Sequence, residues 1–231
     1  MTIPADFKGA ARPLGDKDIA WAAHELGCGE DAVHAVLDVE ARGCDFDDEG
    51  RPAMLFEPHI FYRLTGGAVR RHAVAAGVAY ERWGEKPYPR DSYPRLAIAM
   101  RLSPEDALRS ASWGLSQILG DNFKEAGYSN VSDFVAGACD GEPVQLLQMV
   151  NVIKHRGLDH VLRKEDWAAF ARSWNGAGYK RNSYDDRLRA RYAWWAQKPD
   201  TPWDPEYAIL ETIESDAHAP HVVFPPTARV A

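Results

Sequence analysis

Between Val33 and Glu57 the chain reads VHAVLDVEARGCDFDDEGRPAMLFE, and this stretch limits what the rest can fold into. Val33, Val36, Leu37 and Glu40 stand at i, i+3, i+4 and i+7, the apolar stripe of an amphipathic helix. The fourth member of that stripe is a carboxylic acid. A glutamate that needs only water belongs on the opposite face. A charged one turned toward a core costs about several kcal/mol unless it is paired or protonated. A carboxyl kept protonated in such a place suits a general acid. The competing reading is a helix-end glutamate twisted out to solvent. Gly43 is expected to cap the helix. A hairpin-like piece follows, with a turn at Asp48-Glu49-Gly50. The apolar run Met54-Leu55-Phe56 then delivers a second carboxylate, Glu57, just before Pro58.

Elsewhere the punctuation is helical. Asp16 or Asp18 starts a helix that stops at Gly27, and the acids Glu30 and Asp31 sit at the positive end of the Glu40 helix. Met54–Phe56 is the strand candidate. Pro58 opens a short helix ended by Gly66-Gly67, with one more over 68–76. Residues 77–95 carry three prolines, two glycines, three tyrosines and a tryptophan, which predicts a long loop with an aromatic surface. Ser103-Pro104-Glu105-Asp106 starts a helix, with Asp106 closing a capping box. Gly120-Asp121-Asn122 caps a short one that ends at Gly127. Helices are expected over 131–139 and 143–156, the second striped by Val144, Leu147, Val150 and Ile153. Two more are expected from Glu165 to Trp174 and from the Ser183-x-x-Asp186 cap through Trp195. The fold class is mainly α, with a small β-hairpin element after the Glu40 helix.

A chain of 231 residues supports one sizeable core. We expect a domain over 1–196 and a Pro-containing acidic tail over 197–231. The formal net charge of -7 argues against a polyanion-hugging molecule, and no nucleic acid is expected as a partner. The charge is uneven: residues 151–195 hold ten Lys/Arg against five Asp/Glu, and 196–231 hold two against six. The basic stretch is expected to face an anionic polymer. No apolar run reaches the ~18 residues of a membrane span, and the first residues lack the pattern of a signal peptide. Synthesis in the cytoplasm, no stable membrane association and a monomeric state are expected. Cys28, Cys44 and Cys139 fit neither a disulfide framework nor a zinc site.

Three separated pieces line up: Glu40 at a helix end, Ser112-Trp113-Gly114-Leu115-Ser116-Gln117-Ile118, and Ser173-Trp174-Asn175-Gly176-Ala177-Gly178-Tyr179. Their order resembles the lysozyme superfamily of goose-type lysozymes and soluble lytic transglycosylases. A glutamate ends a helix there, a Gly-Leu-Met-Gln-Ile segment lines the groove, and an Ala-Tyr-Asn segment supplies an asparagine. This chain has Gly-Leu-Ser-Gln-Ile and Ser-Trp-Asn instead. Over residues 7 to 196 the chain resembles more closely the N-acetylmuramidase domain of phage endolysins. The residues that carry this are Asp6–Arg12, Val39-Glu40-Ala41-Arg42-Gly43, Gly50-Arg51-Pro52, Leu55–Phe61, Ser112–Leu115, and Trp174–Tyr179 with Tyr184-Asp185. Ala41 stands where that family often has serine. The resemblance implies a lysozyme-like α+β fold and a muramidase acting on bacterial peptidoglycan. It also implies a phage enzyme made in the host cytoplasm and released to the periplasm through a holin.

The chemistry of the residues agrees. Cleaving a glycosidic bond needs a protonated carboxyl at the bridging oxygen and a second group that stabilises the oxocarbenium-like transition state or activates water. Glu40 suits the first task. Glu57 suits the second, with a salt bridge or a cap for the Pro58 helix as its alternative. Ser112, Gln117 and Asn175 are expected to bind substrate. Trp113 and Trp174 are candidates to stack on sugars, and Tyr179 and Tyr184 are candidate groove residues. No elbow context surrounds a serine or cysteine near His59, and the eight histidines lack metal-ligand spacing. No metal and no cofactor are expected. The rival readings are a lytic transglycosylase that uses the same glutamate and a non-catalytic wall-binding or phage structural protein.

Overall fold

The computed structural model describes residues 2–40, 46–207 and 209. The elements run α1 (Asp16–Leu26), α2 (Glu30–Glu40), β1 (Met54–Phe56), α3 (Pro58–Leu64), α4 (Gly67–Ala75), α5 (Tyr93–Leu102) and α6 (Pro104–Arg109). They continue with β2 (Ala111–Trp113), β3 (Ile118–Leu119), α7 (Val131–Asp140), α8 (Glu142–His155), α9 (Asp159–Arg163), α10 (Trp167–Asn175) and α11 (Tyr184–Trp195). The mainly helical class with a small sheet is as expected.

The Glu40 helix forms as its stripe dictates. Val33, Val36 and Leu37 are buried, and Glu40 ends the same face half-buried. The cap expected at Gly43 lies outside the described residues. The turn at 48–50 is present: Gly50 at φ 75° donates to the Asp47 carbonyl at 2.9 Å, and a single bridge joins Phe46 to Pro52. Its strand, however, finds another partner. β1 pairs antiparallel with β2, Leu55 opposite Ser112, and β2 pairs with β3, Trp113 opposite Ile118. The sheet is therefore closed by a hairpin from far along the chain. Gly114 takes the left-handed conformation that its turn needs, at φ 70°. A Cβ there would meet the Gln145 side chain at 2.7 Å.

The core is built on α8. Its stripe residues Val144, Leu147, Val150 and Ile153 are buried, and so are Gln145 and Gln148 between them. Both glutamines are satisfied: Gln145 accepts from Leu115 N–H and donates to the Ala138 carbonyl, each at 2.8 Å, and Gln148 donates to the Phe134 carbonyl at 2.9 Å. The helix therefore ties the β2–β3 turn to α7.

Several boundaries move. The expected loop ends at Ser92, because Tyr93, Pro94 and Arg95 already belong to α5, where proline occupies the first turn. That helix and α9 are not anticipated by the pattern. α10 starts at Trp167, because Glu165 is left-handed at φ 54° and Asp166 caps Ala169 N–H at 3.0 Å. Ser183 precedes α11 but is itself left-handed and makes no side-chain cap. The Ser103 hydroxyl reaches the Asp106 carboxylate at 2.8 Å and leaves the backbone donors uncapped.

The beginning of the expected tail is fastened to the domain. Thr201 bonds Glu30 through its N–H (2.9 Å) and hydroxyl (3.0 Å), Trp203 stacks on His24 at 4.1 Å, Lys17 pairs with Asp204 at 2.9 Å, and Tyr207 donates to Asp18. The first part of the expected tail, residues 201–207, therefore packs on α1 and α2. Ala208 and residues 210–231 lie outside the described residues.

Candidate active site

Glu40 is fixed by two helices that lie far from it in sequence. α11 packs along α2. Arg191 and Trp195 both donate to Asp38 at 2.7 Å, and Arg187 donates to the Val39 carbonyl at 3.2 Å. From the end of α10, the Asn175 amide donates to both carboxylate oxygens of Glu40, at 3.0 and 3.2 Å.

Glu57 arrives from the sheet. Its backbone N–H donates to the Ser110 carbonyl at 2.8 Å, and its carbonyl accepts from Ile60 and Phe61. Its side chain makes no cap for α3. The carboxylate Oε2 instead accepts from the Tyr88 hydroxyl, and His59 Nδ1 lies 3.4 Å from the same oxygen. Burial lowers the His59 pKa against the opposing pull of Glu57, so near neutral pH the imidazole brings no full counter-charge. The side-chain cap for α3 is absent, and the salt-bridge alternative comes down to the His59 contact.

Both carboxylates line one cavity of about 490 Å3, with Val39, Leu55, Ser112, Gln117, Asn182, Tyr184 and Arg187. A second cavity of about 700 Å3 adjoins it, sharing Leu55 and Gln117. The two lie side by side, and Leu55 and Gln117 form part of the wall of each.

Of the residues expected at the site, Glu40, Glu57, Ser112, Gln117 and Tyr184 meet at this cavity, and Asn175 joins them through Glu40. Gln117 also has a structural task, since its amide donates to the Ala53 and Gly114 carbonyls at 3.2 and 2.9 Å. The two stacking candidates need correction. Trp113 is 1% exposed, and its indole N–H is bonded to the Leu108 carbonyl, so it offers no face to a sugar. Trp174 packs parallel to Phe170 at 5.8 Å beside the Arg156 guanidinium and does not line the groove. Tyr179 is buried in the core as well. Tyr88, Arg187, Asn182 and Leu55 were missed. Only Tyr88 had a signal, as a tyrosine of the aromatic loop.

Among the described residues, six of the ten cations of the basic stretch form ion pairs: Lys154 with Glu25, Arg156 with Glu125, Arg163 with Asp159, Lys180 with Asp185, Arg189 with Asp186 and Arg191 with Asp38. Arg187 lines the cavity instead. Cys28 and Cys139 are free thiols whose pKa burial pushes up to about 12, so neither is an activated nucleophile. Cys44 lies outside the described residues. Among those residues, no group of three or more His, Cys, Asp or Glu is placed to hold a metal ion, and no helix is long and apolar enough to cross a membrane.

Residues 30–196, which contain every residue of this cavity, match the family model described as Muramidase, N-acetylmuramidase. The chain belongs to the N-acetylmuramidase family. The crystal structure of the Burkholderia AP3 phage endolysin is similar to it, with a TM-score of 0.74 and 34% sequence identity over 81% of this chain and 73% of that one. No curated protein matches the chain. The family match begins at the first residue of α2 and ends just past α11. The muramidase unit is thus bounded by the two helices that pack together to hold Glu40.

Proposed function

We propose that this muramidase is a peptidoglycan hydrolase of the endolysin type. It cleaves the β-1,4 bond between N-acetylmuramic acid and N-acetylglucosamine, with Glu40 as general acid and Glu57 as the second carboxylate. The observation that carries this reading is the convergence of the two carboxylates, one from a helix end and one from a sheet edge, on one open cavity. The cavities are lined by polar side chains able to bind hydroxyl and acetamido groups.

In the reaction, Glu40 gives its proton to the bridging oxygen as the bond lengthens. Positive charge grows on the ring, and an ionised Glu57 stabilises it or draws a proton from water. Asn175 keeps the Glu40 carboxyl in one orientation through both states. Ser112, Tyr184, Asn182 and Arg187 present hydrogen-bonding groups to the strand. The substrate is the wall polymer, reached after release from the cytoplasm where the chain is made.

Mass spectrometry of fragments released from purified peptidoglycan tests the proposal. Hydrolysis at this bond gives reducing N-acetylmuramic acid ends. Anhydro ends, lighter by one water, would show instead that the muramoyl 6-hydroxyl attacks and that the enzyme is a lytic transglycosylase. Reducing N-acetylglucosamine ends would place the cut at the other bond.

A further inference from the structure

We infer that Tyr88 is a positioning residue for Glu57: its hydroxyl, carried on the wall formed by residues 76–92, holds Oε2 and leaves Oε1 as the oxygen that meets the reacting centre. This rests on the reading of Glu57 as the second carboxylate and adds to it which side chain aims that carboxylate, and which oxygen works.

The segment between α4 and α5 is built to deliver this one contact. At its start Val78, Ala79 and Tyr80 are buried, and Val78 N–H is bonded to the Ala73 carbonyl at 3.0 Å. Its tip turns out to solvent, with Trp83 72% exposed. It then returns past Pro87, whose carbonyl accepts from Arg95 of α5 at 3.3 Å. Beyond Tyr88, Asp91 receives Tyr93 N–H at 2.9 Å, and the Tyr93 hydroxyl is bonded to the Pro52 carbonyl at 2.7 Å, just ahead of β1. Tyr88 is thus anchored on both sides to the elements that flank the sheet, and its ring has only two torsions to fix. It lines the larger cavity while bonding a carboxylate of the smaller one.

Both polar neighbours of Glu57 approach Oε2, Tyr88 with a hydrogen bond and His59 Nδ1 from 3.4 Å. Among the described residues none donates to Oε1. A carboxylate held at one oxygen in this way keeps one rotamer and presents the other oxygen to the cavity.

Other charges press on the group as well. Arg95, Glu57 and Glu85 act on Tyr80, and Tyr80 and Arg95 act on Tyr88. Arg63 acts on His59. Burial, with the bond to Glu57, raises the Tyr88 pKa, so the phenol remains a donor throughout the working range.

Tyr88→Phe keeps the ring and removes the donor. A hydrogen bond to an ionised partner is expected to be worth roughly 10- to 100-fold in kcat, with KM changed by no more than about twofold. Replacing Tyr88 by a fluorotyrosine, a stronger donor of nearly the same shape, should keep kcat within about twofold of wild type. This second variant also covers a Y88F protein that fails to fold. If E57Q inactivates while both Tyr88 variants keep the wild-type kcat, the positioning role is overturned and the second carboxylate stands. If Y88F lowers only the melting temperature, Tyr88 merely ties down the loop and the inference is overturned. If E57Q is as active as wild type, the reading of Glu57 itself fails.

Discussion

Asn175 touches Glu40 with an amide, which can serve both of its protonation states. The amide nitrogen donates to the carboxylate, and a half-turn of the same group brings Oδ1 to accept from the acid. Asn175→Ala should therefore lower kcat about tenfold or more while changing stability by no more than about 1–2 kcal/mol. Steady-state kinetics alongside a thermal melt checks this, and an unchanged kcat would leave Asn175 as a helix end only. Glu40 was legible in the sequence because a carboxylate in an apolar stripe breaks a local rule. Glu57 was legible because a strand followed by proline has few ways to end. Tyr88 was not, since its partner lies 31 residues away and nothing in a loop's composition says where a hydroxyl lands. Trp113 and Tyr179 were misread for a related reason. An aromatic in a three-residue strand or a short turn carries no periodicity to separate groove from core.

The contact between α2 and α11 holds the Glu40 helix in place, and its ring stack carries a pH dependence. His34 lies flat on Trp195 at 3.7 Å, and burial lowers the imidazole pKa below 6.5, outweighing Asp38, Asp16, Asp31 and Asp200. His59 is lowered for the same first reason. Between the folded pKa and 6.5 the unfolded chain binds more protons than the folded one. Stability from these groups is therefore full above about pH 6.5 and is lost as pH falls through the folded value. The urea midpoint should drop on going from about pH 7.5 to pH 5, and His34→Phe should flatten part of that drop. An identical drop in the variant would mean that His34 titrates freely. Helices with clear stripes, α2 and α8 above all, were legible. The sheet was not, because β1 meets β2 across three intervening helices and then α6, and pairing over such a distance has no local signature. α11 was found from its boundaries, since charged residues on most of its faces serve as ion-pair partners for α2 and for itself.

In the whole molecule, charge and the C-terminal segment act differently from their sequence appearance. Six cations of the basic run form ion pairs among the described residues, among them Lys180 with Asp185, a carboxylate 1% exposed. Lys180→Glu should lower the melting temperature and leave the salt dependence of lysis as it was. A flattened salt profile in a stable variant would restore the run as a substrate-facing surface. Residues 201–207 bridge to both α1 and α2. Truncation after Gln197 removes the Thr201, Trp203, Asp204 and Tyr207 contacts together and should cost roughly 1–3 kcal/mol. Truncation after Leu210 keeps them and should melt at a higher temperature than truncation after Gln197. Equal stability of both truncations would show the strap to be idle. A proline-rich, acidic sequence reads as a tail because none of these partners is near it in the chain.

In the proposed reaction Glu40 supplies the proton. Glu40→Gln keeps the side chain's length and its place beside Asn175 but removes the transferable proton. Release of reducing ends from purified peptidoglycan should fall by roughly 10²–10⁴-fold in this variant, with the circular dichroism spectrum and melting temperature close to those of the parent. A folded Glu40→Gln protein that releases reducing ends at the wild-type rate would contradict the account.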